Sequence, residues 1–208
     1  MRRSARLCLG LLALAFARAA AAQAPAAPDF KGEPASADAL RIARWAARSG
    51  DPGGLPFLIV DKRSAKVFVF DGSARLLGAA PALLGMTRGD DTVPGIGRRR
   101  LATISREERT TPAGRFVAAL GSDFVQDVLW IDHHNALSLH RVVTGGRRDR
   151  RRERLDSPSP LDNLISYGCI NVPADFYDGI VVPAFRGTVG IVYILPDTRP
   201  LAEVFKGA

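Results

Sequence analysis

The chain has 208 residues, of which 47% are hydrophobic and 24% are charged, and its formal net charge is +8. This length predicts one domain of about 150 residues with shorter additions, large enough for one core and too small for two. The basic excess does not indicate a nucleic-acid-binding protein, because no aromatic residues are interleaved with the arginines.

Residues 1–22 have the pattern of a secretory signal peptide. Three arginines precede an apolar run at 7–17, and an Ala-x-Ala cleavage site ends at Ala22. The run has about half of the ~20 residues that a membrane-spanning helix needs. Cleavage would remove four arginines and no acidic residue, which lowers the net charge from +8 to +4. We therefore expect an exported, periplasmic protein with no stable membrane anchor after cleavage.

The next two segments are predicted to be a linker and a helix. Residues 23–35 are rich in alanine and proline, a composition that buries little surface. Ser36 can cap a helix in residues 36–50, which Gly50 and Pro52 end. We expect this accessory helix to pack against the main domain.

From residue 55 to residue 196 the pattern predicts a mainly β domain, followed by a C-terminal tail at 197–208. Asp71-Gly72 is a hairpin turn between two strands. A later helix is predicted from Pro173 to about Phe185. The predicted strands are 57–61, 66–70, 75–84, 115–120, 128–132, 136–142 and 189–195.

One cysteine, Cys169, remains once the expected signal peptide and its Cys8 are removed. It cannot form an internal disulfide, so it is either an inert buried residue or a reactive thiol. Gly168 before it permits a sharp turn, and backbone N–H groups from Tyr167 to Cys169 could stabilise an oxyanion. The helix start expected shortly after Cys169 would favour the thiolate.

The chain has three histidines, and one of them is a candidate general base. His133 and His134 lie in a polar turn, which favours structural or surface roles. His140 lies on a predicted strand, where alternation places it on the face of Ser138 and opposite to Arg141. It is either a base or a hydrogen-bonded core residue. The spacing gives no convincing metal-ligand set, so we expect no metal.

Two motifs resemble the L,D-transpeptidase (YkuD) family over about residues 56–195. They are His140 followed by Ser166-Tyr167-Gly168-Cys169-Ile170-Asn171, and the stretch Thr111-Pro112-Ala113-Gly114. The resemblance implies a YkuD-type β-sandwich with a short helix after the cysteine and an N-terminal accessory helix. It also implies that Cys169 is the nucleophile, His140 the base, and the backbone of Gly168 and Tyr167 the oxyanion support, with no cofactor. Ser166 and Asn171 would be supports or substrate contacts.

The sequence departs from the family pattern at three places. Tyr167 stands where the family often has histidine. Arg141 stands where a small residue is more common, and it either binds a substrate carboxylate or lies on the opposite strand face. Cys169 follows His140 by 29 positions, a long connection that contains six arginines at 147–154. These arginines are either a solvated surface or a site for acidic peptides.

The resemblance implies acyl transfer on peptidoglycan stem peptides, and hence a role in cell wall biogenesis and cell shape. Cys169 would form a thioester with release of D-alanine, and an amine of a second stem would then form a 3-3 cross-link. A wall-linked protein is another acceptor. The same site used with water would make a hydrolase, either an L,D-carboxypeptidase or an amidase that releases wall proteins. A different class of function is an inactive cell-wall-binding module.

Overall fold

The computed structural model describes residues 28–123, 125–143 and 149–208. The expected signal peptide and the first two residues of the arginine-rich run lie outside these ranges. The described helices are α1 (Ala37–Ser49), α2 (Arg151–Leu155), α3 (Ala174–Phe176), α4 (Val182–Phe185) and α5 (Leu201–Val204). The described strands are β1 (Phe57–Asp61), β2 (Lys66–Phe70), β3 (Leu76–Pro81), β4 (Leu84–Gly85), β5 (Gly114–Ser122), β6 (Asp127–Asp132), β7 (Leu137–Arg141), β8 (Leu164–Ser166), β9 (Ile170–Val172) and β10 (Val189–Ile194).

Eight strands form one sheet in the order β3-β2-β1-β10-β5-β6-β7-β9, while β4 pairs with β8. The pairs β1–β10 and β7–β9 are parallel, and the other neighbours in the large sheet are antiparallel. Leu83, just after edge strand β3, bridges Asn171 of the opposite edge strand β9. The sheet is therefore nearly closed, and the predicted mainly β fold is confirmed.

Alternating residues of the central strands contribute to two separate cores. In β1, Leu58 and Val60 belong to an inner core, whereas Phe57 and Ile59 belong to an outer core. Every residue of β1 is buried because both faces of the sheet are covered. The helical segment at 174–185 covers the inner core, and α1 covers the outer one.

Helix α1 forms and packs as its sequence predicts. The Ser36 side chain accepts a hydrogen bond from the Ala39 N–H, and Gly50 ends the helix in a left-handed conformation. The buried face consists largely of alanines, which lets the helix lie close to the sheet. Two flanking segments join this outer core. Phe30 of the expected linker stacks edge-on against two sheet phenylalanines, and the expected tail forms α5 and buries Phe205.

The segment after Cys169 differs from the prediction in one respect. The predicted helix exists, but it begins at Ala174 and contains a π-helical turn over Tyr177–Val181. Cys169 is followed directly by strand β9, whose backbone pairs in parallel with β7. The helix start predicted at Pro173 is confirmed, and sheet pairing at residues 170–172 places strand β9 between that helix and the thiol. No helix in the described part of the chain is long and apolar enough to cross a bilayer.

Residues 86–113, here called the cap segment, connect β4 to β5 and are anchored by a buried ion cluster. Lys62 Nζ lies 2.7 Å from Asp90 Oδ1 and 3.3 Å from Asp197 Oδ1, and it donates to the Thr111 carbonyl at 2.8 Å. Asp90 also accepts the backbone N–H of Arg199 at 2.8 Å. Both ends of the cap segment are thereby fixed to Lys62, directly after β1, and the first end is also fixed to the C-terminal segment.

Candidate active site

Strand pairing at the edge of the sheet brings Cys169 to the face of β7 that carries Ser138 and His140. Leu139 pairs with Ile170, so Cys169 lies beside Ser138. The Ser138 hydroxyl is 3.6 Å from the Cys169 sulfur, which is itself 3.4 Å from the Ala136 carbonyl oxygen. The sequence had placed Ser138 on this face without giving it a role. The thiol is half-buried, and so remains accessible to a substrate.

His140 is held in one tautomer by the backbone. Its Nδ1 lies 2.8 Å from the carbonyl oxygen of Arg141. Because a carbonyl can only accept, Nδ1 carries the hydrogen and Nε2 is left to exchange a proton with Cys169. The side-chain nitrogen Nε2 of Gln126 lies 3.3 Å from the same Nδ1. The reversed amide, with its oxygen towards Nδ1, is the orientation that suits this tautomer. Nothing in the sequence had singled out Gln126.

Cys169 and His140 shift each other's pKa in opposite directions. Burial raises the pKa of the Cys169 thiol, but the hydrogen bond and charge of His140 lower it by more, so the net pKa lies below the ordinary value. Burial lowers the pKa of His140, but the hydrogen bond and charge of Cys169 raise it above its ordinary value. Both shifts favour a thiolate–imidazolium pair, the reactive form of a cysteine nucleophile.

A glycine is required at position 168 by the conformation of the turn at residues 167–169, here called the catalytic turn after the candidate nucleophile Cys169. Its φ is +129°, and a Cβ there would lie 2.7 Å from the Thr110 carbonyl oxygen. The glycine therefore allows a close approach between two backbone segments. Thr111 completes this contact, since its hydroxyl donates to the Gly168 carbonyl and accepts from the Gly85 N–H, each at 2.8 Å. The Thr-Pro-x-Gly motif thus fixes the catalytic turn directly.

Ser166 and Asn171 both hold the carbonyl group of Cys169. The Ser166 hydroxyl donates to that oxygen at 2.6 Å and the Asn171 amide at 3.2 Å. Both side chains are buried, which fits support better than substrate contact. Asn171 lies in β9. The Gly168 N–H donates to the Ser166 hydroxyl at 3.0 Å and cannot also bind an oxyanion, which leaves the N–H groups of Tyr167 and Cys169 as candidate donors.

A cavity of about 90 Å³ opens beside Cys169. Its walls come from the cap segment, the turn between β6 and β7, and the catalytic turn. Most of the wall is apolar, and Arg99 contributes a guanidinium group that is paired with Glu108 at 2.6 Å. The catalytic turn supplies Tyr167, Gly168 and Cys169 to this lining. The cavity can therefore hold the group that reacts with the thiol.

Tyr167, which stands where the resembled family often has histidine, contacts the cap segment through its ring. The guanidinium carbon of Arg109 lies 3.9 Å from the centre of its ring. Arg109 is held there by the Ile104 carbonyl, to which its Nη2 donates at 3.0 Å. This cation–π contact joins the cap segment to the catalytic turn.

Arg141 lies on the strand face opposite to His140, as one of the two alternatives predicted. It forms ion pairs with Asp127, at 2.7 Å, and with Asp178, and its guanidinium carbon lies 4.4 Å from the centre of the Tyr177 ring. These carboxylates raise the pKa of Arg141. The alternative that Arg141 binds a substrate carboxylate is not supported, because its guanidinium group is occupied and it does not line the cavity.

The other two histidines lie in the turn between β6 and β7. Asp132 accepts the backbone N–H groups of His134 and Asn135 at 3.0 and 3.2 Å, which stabilises the predicted turn. His133 stacks on Trp130 with ring centres 4.3 Å apart. Within the described residues, no cluster of three or more side chains could hold a metal ion.

The described part of the arginine-rich run has internal contacts as well as exposed charge. Arg154 donates to the carbonyl oxygens of Asp149 and Asp162 at 2.8 and 2.6 Å. Arg151 donates to Asn171 Oδ1 at 3.0 Å, which brings the run against the catalytic turn. Arg150 and Arg152 are exposed. Sequence alone could not distinguish the arginines with internal contacts from the exposed ones, because the partner of Arg151 lies 20 positions away.

No protein-family model matches the sequence. No curated protein matches it either. Among solved structures, the chain is similar to the helical cell shape determining protein Pgp2 from Campylobacter jejuni, with a TM-score of 0.47 at 11% identity over 70% of this chain and 49% of that one. It is also similar to an L,D-transpeptidase from Xylanimonas cellulosilytica, with a TM-score of 0.38 at 15% identity over 67% of this chain and 60% of that one.

A third similar structure is a fused Zn-dependent amidase/peptidase/peptidoglycan-binding domain-containing protein from Clostridium acetobutylicum, with a TM-score of 0.37 at 18% identity over 67% of this chain and 51% of that one. The chain thus spans about half to three fifths of the length of these structures. With TM-scores and identities this low, the three similarities establish neither a family nor an activity for this chain.

Proposed function

We propose that the chain is an exported cysteine acyltransferase of the L,D-transpeptidase type that acts on peptidoglycan stem peptides. The observation that carries the proposal is that Cys169 lines a cavity and lies beside the face of β7 that carries His140, an arrangement in which the pKa of the thiol is lowered and that of the imidazole is raised. A thiol that is buried for packing alone needs neither a neighbouring histidine nor an open cavity beside it.

In the first step, the Cys169 proton moves to His140 Nε2 and the thiolate attacks a carbonyl carbon of the donor peptide. The N–H groups of Tyr167 and Cys169 are the proposed donors to the oxyanion. The tetrahedral intermediate collapses with cleavage of the C–N bond, and His140 Nε2 returns the proton to the departing amine, D-alanine. A thioester remains on Cys169.

In the second step, an amine of another stem peptide attacks the thioester carbonyl. His140 accepts the proton that this amine loses, an amide bond forms, and the C–S bond breaks to restore the thiolate. The product is a cross-link between two stems. With water in place of the amine the same steps release a free carboxylate, so one site serves transfer or hydrolysis according to the acceptor.

The choice of peptidoglycan as substrate is supported by the two motifs and by the signal-peptide pattern of residues 1–22. Both motifs contribute to one structural unit, because Thr111 binds the carbonyl of Gly168 directly. The exposed guanidinium groups of Arg150 and Arg152 suit the carboxylates of an acidic peptide stem.

The test is intact-protein mass spectrometry with isolated muropeptides. We expect wild type to gain the mass of the acyl group, Cys169→Ala to gain none, and His140→Ala to gain it much more slowly. An adduct that survives Cys169→Ala would refute the nucleophile.

Analysis of the muropeptide products from the same reactions identifies the acceptor. Cross-linked dimers show transfer, and trimmed tripeptides show hydrolysis. Absence of any adduct, also with an activated acyl donor, would favour an inactive wall-binding module.

A further inference from the structure

The peptide group of the nucleophile is held through an asparagine whose own orientation is set by an arginine. Asn171 is almost fully buried and donates from Nδ2 to the Cys169 carbonyl oxygen at 3.2 Å. Its Oδ1 accepts from Arg151 Nη1 at 3.0 Å. Arg151 is in turn fixed by an ion pair with Asp149 at 3.2 Å. The result is a continuous path from the arginine-rich run to the backbone of Cys169.

The chemistry of this path allows only one orientation of the amide. A guanidinium group has donors and no acceptor, so it can face only the oxygen of Asn171. The NH₂ group is thereby directed to the Cys169 carbonyl, which can only accept. If the amide were reversed, two donors would face each other at one end and two acceptors at the other. Such buried mismatches are strongly disfavoured.

We propose that Arg151 is a positioning residue that orients Asn171 and thereby holds Cys169 within reach of His140. The inference rests on the proposed function for its catalytic consequence, although the geometry of the thiol can be measured without any substrate. It gives part of the arginine-rich run a role distinct from binding acidic peptides. Arg151 acts on the rate of the chemical step, and the exposed arginines act on substrate affinity.

The first experiment measures alkylation of Cys169 by iodoacetamide as a function of pH. Arg151→Gln is expected to slow alkylation at neutral pH and to raise the pH midpoint, because a displaced thiol loses part of its stabilisation by His140. Arg151→Lys, which keeps a charged donor, is expected to restore part of the rate. The matched control is Glu153→Gln, on the exposed surface of the same helix, which should behave as wild type.

With muropeptide substrate, Arg151→Gln is expected to lower kcat about tenfold with little change in KM, a factor that corresponds to one hydrogen bond to a charged group. An unchanged kcat with a raised KM would overturn the inference and assign Arg151 to substrate binding. If wild type shows no turnover at all, the proposed function fails, and the alkylation profile still decides whether Arg151 positions the thiol.

A double-mutant cycle tests whether Arg151 acts through Asn171. We expect the alkylation rate of Arg151→Gln combined with Asn171→Ala to equal that of Asn171→Ala alone, because the path is already interrupted. Fully additive effects would overturn the inference. Thermal denaturation of each variant checks that the rates are compared between folded proteins.

Discussion

Replacement of Thr111 by valine tests how strongly the cap segment holds the catalytic turn. Valine keeps the branched shape of threonine and removes only the hydroxyl group. The change leaves two buried backbone groups without their partners, namely the Gly85 N–H and the Gly168 carbonyl, each 2.8 Å from the hydroxyl in the native protein. Each group left unsatisfied costs about 1–3 kcal/mol, so we expect a loss of about 2–6 kcal/mol.

The measurement is urea denaturation followed by circular dichroism, with Thr111→Ser and Thr110→Val as controls. Serine keeps the hydroxyl and should lose less stability than valine. The Thr110 hydroxyl donates to the Asp91 carbonyl at an exposed position, so its loss should cost less than about 1 kcal/mol. If Thr111→Val also lost less than about 1 kcal/mol, the hydroxyl would not be what holds the turn.

The pH midpoint for alkylation of wild-type Cys169 should lie below about 8.5, the usual pKa of a thiol. His140→Ala should raise this midpoint, because His140 lowers the pKa of the Cys169 thiol, and an unchanged midpoint would contradict the interaction between the two residues. Charge reversal of the exposed residues Arg150 and Arg152 should raise KM for acidic stem peptides with little change in kcat, and an unaltered KM would exclude their role in binding. Lys62→Met should destabilise the fold by about 3–5 kcal/mol in urea denaturation, because buried carboxylates lose their cation. Exposed Lys31→Met is the control, and a loss of stability in Lys62→Met as small as that of the control would contradict the role of the ion cluster.

Several parts of the fold follow from local patterns in the sequence. Strands β1 and β2 have the bounds that the sequence predicts, 57–61 and 66–70, and the Asp71-Gly72 turn joins β2 to β3. Helix α1 follows its cap at Ser36. The predicted strand at 75–84 is divided into β3 and β4, because the chain leaves one edge of the sheet there to reach the other.

Strands β8 and β9 could not be predicted in this way. Each has three residues, which is too short for a periodic pattern, and each forms only because a distant strand offers backbone partners. Nothing in the sequence therefore predicted strand β9 between Cys169 and the helix that follows it. The pKa of the thiol is lowered by His140, across the sheet edge.

The sequence by itself singled out the candidate nucleophile and base, because Cys169 is the one cysteine outside the signal-peptide pattern and both Cys169 and His140 fit motifs that resemble a known family. Tertiary structure alone decided what holds them. Thr111 contacts Gly168 in the catalytic turn from 57 positions away, and Arg151 contacts Asn171 in β9 from 20 positions away. Such hydrogen bonds depend on how the cap segment and the arginine-rich run return to the sheet edge, and no local pattern of residues encodes that path.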